Sequence, residues 1–245
     1  MSTVSTRLIQ VEKTRTAVRL RLCRPDHYNA LDGATLHSLH AFLTHRQENL
    51  PLILEGDADF FSVGADIAEL ARFDARQAAA YSRQGHLVLQ ALESWPGVTI
   101  AFVNGYALGV GLELMLGCDV IAGGHGTRIG MPGLAWALVP CMGGLRRLAC
   151  RVSEAFSADL FLSGDMLDAE RSWEVGLIDK LVHHDLEITA LAAEMADFSP
   201  QAVSAIRDLR LERHGIIDAR VGSSMFARPF VNGECQRRLR QLLTS

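Results

Sequence analysis

One stretch limits the folds open to this chain more than any other. Val98-Thr99-Ile100-Ala101-Phe102-Val103 reads as a buried strand. Asn104-Gly105-Tyr106-Ala107-Leu108-Gly109-Val110-Gly111 follows at once and opens into the apolar helix Leu112-Glu113-Leu114-Met115-Leu116. A buried strand that turns through glycines into a helix predicts an α/β protein. It also makes a place for chemistry. The first N–H groups of a helix have no partner inside the helix, and glycine lets a ligand approach the backbone closely. The bland counterpart is a tight connection in which glycine serves packing alone. A dinucleotide fingerprint is excluded, because Leu114 stands where a third glycine is needed, and no Lys-Ser/Thr pair follows to make a phosphate loop.

A second junction of the same kind is Phe60-Phe61-Ser62-Val63-Gly64-Ala65-Asp66-Ile67, shortly after the apolar run Leu52-Ile53-Leu54. Two such turns at the ends of neighbouring strands could aim two backbone N–H groups at one oxygen, the arrangement that stabilises charge developing on a carbonyl. Each junction carries a carboxylate. Asp66 is well placed to cap the helix that follows it. Glu113 stands among Leu112, Leu114, Met115 and Leu116. Apolar surroundings raise a carboxyl pKa towards general acid/base work, while the helix dipole pulls it back, so the residues alone leave its direction open.

The other candidates are weaker. His37 and His40, with His45 nearby, have helical spacing but read as solvent-facing rather than as metal ligands. His183 and His184 point apart on any regular element. Trp136, between two alanines, reads as core with a pocket wall as the alternative, and Arg146-Arg147 as facing water. No serine sits in a G-x-S-x-G elbow.

Around these motifs, Val18–Leu22 alternates as a half-buried strand, Asp32 caps a helix through Leu36, Leu39 and Leu43, and Asp119–Ala122 and Thr127–Ile129 read as strands. From Ser153 onward the chain reads as helical, with a stripe at Ile188, Leu191, Ala192 and Met195 and a helix start at Ser199-Pro200. The expected organisation is one α/β core over residues 1–185 and a helical region over 186–245.

Composition closes off other classes. With 245 residues, 49% apolar and 21% charged, the chain is neither disordered nor fibrous. A net charge of −4 argues against nucleic acid. Five cysteines with no C-x-x-C pair argue against a disulfide framework or a zinc cluster, and read as reduced thiols of a cytoplasmic protein. There is no apolar leader at the start and no stretch of about 18 apolar residues to span a membrane.

Taken together the motifs resemble the crotonase, or enoyl-CoA hydratase/isomerase, superfamily. The resemblance rests on Arg24-Pro25…Asn29-Ala30-Leu31, Phe61-Ser62-Val63-Gly64-Ala65-Asp66-Ile67, the long Val103–Leu114 stretch with Cys118-Asp119, Pro140…Gly143-Gly144…Arg147-Leu148, and Leu162-Ser163-Gly164 with Ala169 and Gly176-Leu177-Ile178. It implies a β-β-α spiral core with a helical C-terminal trimerisation region, assembled as trimers or hexamers. It implies an acyl-CoA or other acyl-thioester substrate, with coenzyme A entering as part of the substrate and no separate cofactor or metal. The thioester oxygen would lie between the N–H groups of Ala65 and Val110, next to Gly64 and Gly109. Coenzyme A would contact Asn29, Ala30, Leu31, Ala65, Asp66 and Ile67, with Trp136 near the acyl group. Glu113 matches the first of two catalytic glutamates.

Two positions depart from the family pattern. Val110 replaces the middle glycine of G-G-G, where a β-branched side chain would resist a positive φ and intrude on the pocket. Gly133 follows Pro132 where the second glutamate is expected, which leaves space and removes one acid/base; a positive φ there would bar a larger residue. A hydratase/isomerase working through a thioester enolate is the leading reading. A decarboxylase or hydrolase, an enzyme of carrier-protein thioesters, and an acyl-CoA-binding member without catalysis stand as alternatives.

Overall fold

The computed structural model describes residues 2–5, 7–45, 48–213, 219–231 and 233–244. Strands β1 (Ser2–Ser5), β2 (Ile9–Lys13), β3 (Val18–Leu22), β4 (Leu52–Glu55), β6 (Thr99–Val103), β8 (Val120–Gly123) and β11 (Lys180–Leu181) form a seven-stranded sheet in the order β1-β2-β3-β4-β6-β8-β11. It is parallel from β3 to β11 and antiparallel at β1-β2-β3. A second sheet runs β10-β9-β7-β5, from β5 (Phe60–Ser62), β7 (Tyr106–Leu108), β9 (Arg128–Gly130) and β10 (Met166–Asp168). Each crossover strand of the large sheet is followed by a short strand of the small one, so the chain winds as repeated β-β-α units.

The central parallel strands β4, β6 and β8 are mainly apolar because both faces are covered. Leu52 and Leu54 of β4 enter the main core, and Ile53 between them enters a second cluster with Ile100, Ala122, Val182, Ile188 and Ala192. Helices α1 (Gly33–His45), α2 (Ile67–Leu70), α3 (Ala75–Glu93) and α4 (Val110–Met115) follow the strands in turn. Asp32 accepts from Thr35 N–H at 2.7 Å and so caps α1, as its position predicts.

After α5 (Gly144–Ala149), α6 (Glu154–Ser163) and α7 (Ala169–Glu174), the helices α8 (Asp185–Met195), α9 (Pro200–Arg213), α10 (Ala219–Val231) and α11 (Glu234–Thr244) complete the chain. Arg207 clamps α9 to the core. Its guanidinium is 3% exposed, pairs with Asp119 and donates to the carbonyls of Glu93, Trp95 and Gly97. Burial works against the Asp119 carboxylate, yet Arg207 holds it below its ordinary pKa.

Three details differ from the sequence expectation. Residues after Ser153 are not all helical, since β10 and β11 lie among them. Strand β7 interrupts the glycine-rich turn, and β1 and β2 precede the first strand read. All are two to five residues long, and strands that short are fixed by pairing rather than by any apolar pattern of their own.

Candidate active site

The two glycine turns converge. Gly64 adopts φ +99°, and a Cβ there would fall 2.6 Å from the carbonyl oxygen of Leu108 and 3.3 Å from the Val110 nitrogen. Only glycine permits both that φ and that approach. Ala65 also bridges back to Leu31, whose N–H donates to Gly64 O at 2.7 Å. Neither Ala65 N–H nor Val110 N–H has an acceptor among the described residues. Both residues line one cavity of about 70 Å³. Val110 carries no backbone strain. The positive φ falls on Gly109 (φ +51°), and Val110 begins α4 with its side chain in the cavity wall. The resistance expected of a β-branched residue is thus avoided, and only the intrusion remains.

Glu113 lies on the first turn of α4, 1% exposed, and lines the same cavity. Its Oε1 accepts from Met142 N–H (2.8 Å) and Gly144 N–H (2.7 Å), and its Oε2 from Cys141 N–H (3.0 Å). Burial raises its pKa from the ordinary value, and those three bonds pull against the rise. Burial wins, which decides the direction that the residues alone left open. The glycine pair after Pro140 explains itself here: a Cβ on Gly144 would sit 2.4 Å from Glu113 Cγ, so only glycine lets the carboxylate reach those donors. Arg147, expected to face water, ties this loop down through Met142 O (2.8 Å) and Glu93 (2.7 Å). Sequence reasoning also passed over Cys141. It lines the cavity, and burial followed by the neighbouring Glu113 charge pushes its thiol well up.

Gly133 lies in a 3₁₀ turn over Pro132–Trp136 on the cavity wall. It is not among the positive-φ residues. A Cβ there would meet Leu138 Cβ at 3.2 Å, which is tight but open to adjustment. Glu113 is the one carboxylate lining the cavity among the described residues. Trp136, read mainly as core, is half-buried and forms part of the wall with Ile67, Leu138 and Phe226.

Asn29, Ala30 and Leu31 lie behind the first turn rather than in the cavity wall. Asn29 Nδ2 donates to Asp57 (3.1 Å) and Phe60 O (2.9 Å), and Ser62 Oγ donates to Asn29 O (2.8 Å). Asp66 caps α2 by accepting from Ala68 N–H (3.1 Å) and Glu69 N–H (3.2 Å). No cluster of three or more metal-ligating side chains occurs among the described residues, His37, His40 and His45 included.

The family description "Enoyl-CoA hydratase/isomerase" matches residues 12–227. The 2,3-dehydroadipyl-CoA hydratase of Escherichia coli (strain K12) is 33% identical over 204 residues, covering 80% of this chain and 79% of that protein. The crotonyl-CoA hydratase of Syntrophomonas wolfei is 31% identical over 178 residues, 71% of this chain and 68% of that protein. Among solved structures, Pseudomonas aeruginosa DspI superposes with a TM-score of 0.78 at 31% identity, over 84% of this chain and 81% of that one. An enoyl-CoA hydratase/isomerase from Mycobacterium paratuberculosis reaches a TM-score of 0.87 at 22% identity, over 96% and 98%, and speaks for the fold alone. The chain belongs to the enoyl-CoA hydratase/isomerase family, the crotonase superfamily, and is an acyl-CoA enzyme of that type. Among the described residues no helix is long and apolar enough to cross a membrane.

Proposed function

We propose that this enzyme holds the carbonyl oxygen of an acyl-CoA thioester between the N–H groups of Ala65 and Val110, and that Glu113 moves the proton at the carbon next to that carbonyl. The observation that carries the reading is the meeting, in one cavity, of two backbone N–H groups without acceptors and one buried carboxylate. Donors fixed before charge develops cost no reorganisation when an enolate oxygen forms. Glu113 has spare capacity for its task. Oε1 is saturated by two N–H groups, whereas Oε2 accepts one and keeps a lone pair for a substrate proton. Its raised pKa brings it nearer neutrality, where general acid/base catalysis is most effective.

The cavity is small beside the roughly 300–1,000 Å³ of a typical ligand pocket. With Val110, Trp136 and Phe226 in its wall it suits a short acyl group. Coenzyme A itself would run past Gly64–Ile67 and the Asn29–Leu31 segment behind it, meeting carbonyls that each retain a second lone pair. With glycine at 133, water addition lacks a second acid/base, so hydration of a simple enoyl-CoA is expected to be slow. We place the enzyme in the cytoplasm as a trimer or hexamer, without a separate cofactor. The family resemblance supports the assembly.

The test is Glu113→Gln, which preserves shape and removes the titratable group. Turnover should fall about 10²–10⁴-fold while an acyl-CoA still raises the melting temperature. Wild-type turnover in this variant would move the chemistry to another residue.

A further inference from the structure

A groove of about 450 Å³ between α3 and α10 lies outside the acyl site. Arg83 of α3 and Ser223, Ser224 and Arg228 of α10 line it, with the small side chains of Ala79 and Ala227 leaving it open. Two independent observations mark it as built for a ligand. Ser223 is 2% exposed, and its Oγ has no hydrogen-bond partner among the described residues. A buried hydroxyl left in that state has lost its water without a replacement, which disfavours the unliganded fold. In addition, neither Arg83 nor Arg228 meets a carboxylate at ion-pair distance among the described residues, and no acidic side chain lines the groove.

The larger cavity, about 610 Å³ at the carboxyl ends of β4, β6, β8 and β11, shows the contrast. Its Arg21 is held by Glu55 at 2.7 Å, and Asp57 and Asp185 share its lining, so its charge is spent.

We propose that the α3–α10 groove binds a phosphoryl group. The two guanidinium groups match its oxygens as planar forks, and the Ser223 and Ser224 hydroxyls donate to the oxygens that remain. The group can come from coenzyme A, in which case the assignment rests on the acyl-CoA reading above, or from a free phosphorylated ligand. Binding as such depends on neither.

Calorimetric titration of the full-length protein with inorganic phosphate at low ionic strength tests it. Saturable binding is expected, weakened about tenfold or more in Arg83→Ala and in Arg228→Ala, the scale of a lost charge-assisted hydrogen bond, and weakened also in Ser223→Ala. Variants are compared only where their melting curves match the wild type, with Arg→Gln substitutions as the second set. The source is read kinetically. If coenzyme A supplies the phosphate, Arg228→Ala raises KM for crotonyl-CoA and leaves KM for the crotonyl thioester of N-acetylcysteamine, which lacks phosphate, unchanged. If the ligand is free, both KM values hold while phosphate affinity still drops. Where turnover is too slow to give a KM, as the glycine at 133 allows, the source is read from binding: Arg228→Ala weakens crotonyl-CoA binding if coenzyme A supplies the phosphate and leaves it unchanged if the ligand is free. No phosphate binding by the wild type, or equal binding by the arginine variants, overturns the proposal.

Discussion

At the first glycine turn, Asp66 bends its carboxylate back onto α2, accepts two N–H groups of its own helix and faces Arg24 at 3.2 Å. At the second, Glu113 ignores its own helix and reaches across to the 141–144 loop, where it takes three N–H groups in full burial. Both junctions run from a strand through glycine into a helix, with the acid at the N-cap in the first and on the first helical turn in the second. One acid ends as a local cap and the other as the polar centre of a cavity. A carboxylate's role here follows from which N–H donors the tertiary structure brings to it.

The sharpest way to break this comparison is to neutralise both acids. Glu113→Gln should cost the 10²–10⁴-fold in kcat expected of a lost acid/base, whereas Asp66→Asn should leave kcat within a few-fold. Equal losses would mean that the two junctions share the chemistry. Next in size is Gly133→Glu. The backbone there accepts a side chain, so a second carboxylate should raise crotonyl-CoA hydration about tenfold or more, part of what a positioned acid/base can supply. Loss of the enoyl-thioester absorbance measures it, and native hydration already at roughly 10 per second would show that a group other than a glutamate fills that role.

Gly144→Ala attacks the donors of Glu113. The new Cβ must displace Glu113 or the loop, an overpacking cost of about 1–3 kcal/mol. Thermal melting should show the loss, and kcat should fall with it; an unchanged kcat would separate the loop from catalysis.

On α3, His86 is 5% exposed with Nε2 unpartnered among the described residues, and burial, aided by the positive charge of Arg147, lowers its pKa to about 4. The unfolded chain binds a proton there near pH 6.5 and the folded one only near 4. Stability should therefore fall as pH drops through that window. Glu113, with its raised folded pKa, works the other way and sheds stability as pH rises above the ordinary carboxylate range. Melting profiles of His86→Phe and Glu113→Gln should each remove one of these slopes, and parallel profiles in all three proteins would refute both assignments. The smallest effect belongs to the first junction: Asp66→Ala should cost about 1 kcal/mol of cap energy, measured by denaturant unfolding.

Much of the fold was legible before the structure. Leu52–Leu54 and the 98–103 run were strands because both of their faces are buried, and Asp32 and Asp66 were caps because an Asx side chain satisfies N–H groups two or three residues on, a bond that needs no distant partner. The glycine turns were legible for the same local reason, whereas the convergence of Ala65, Val110 and Glu113 was an expectation that rested on the family resemblance.

The rest required distant chain. Whether burial or hydrogen bonding governs Glu113 depends on N–H groups about thirty residues away. Arg147 looked like a surface arginine because its partners Glu93 and Met142 O are joined only by folding. Val110 looked strained because the sequence does not show which residue of a glycine turn takes the positive φ; in the fold it is Gly109, and Val110 starts α4. Sequence alone determined which residues could bend, cap or bury. The tertiary structure decided which of them meet, because burial and hydrogen bonding act over ångströms whereas the partners stand tens of residues apart along the chain.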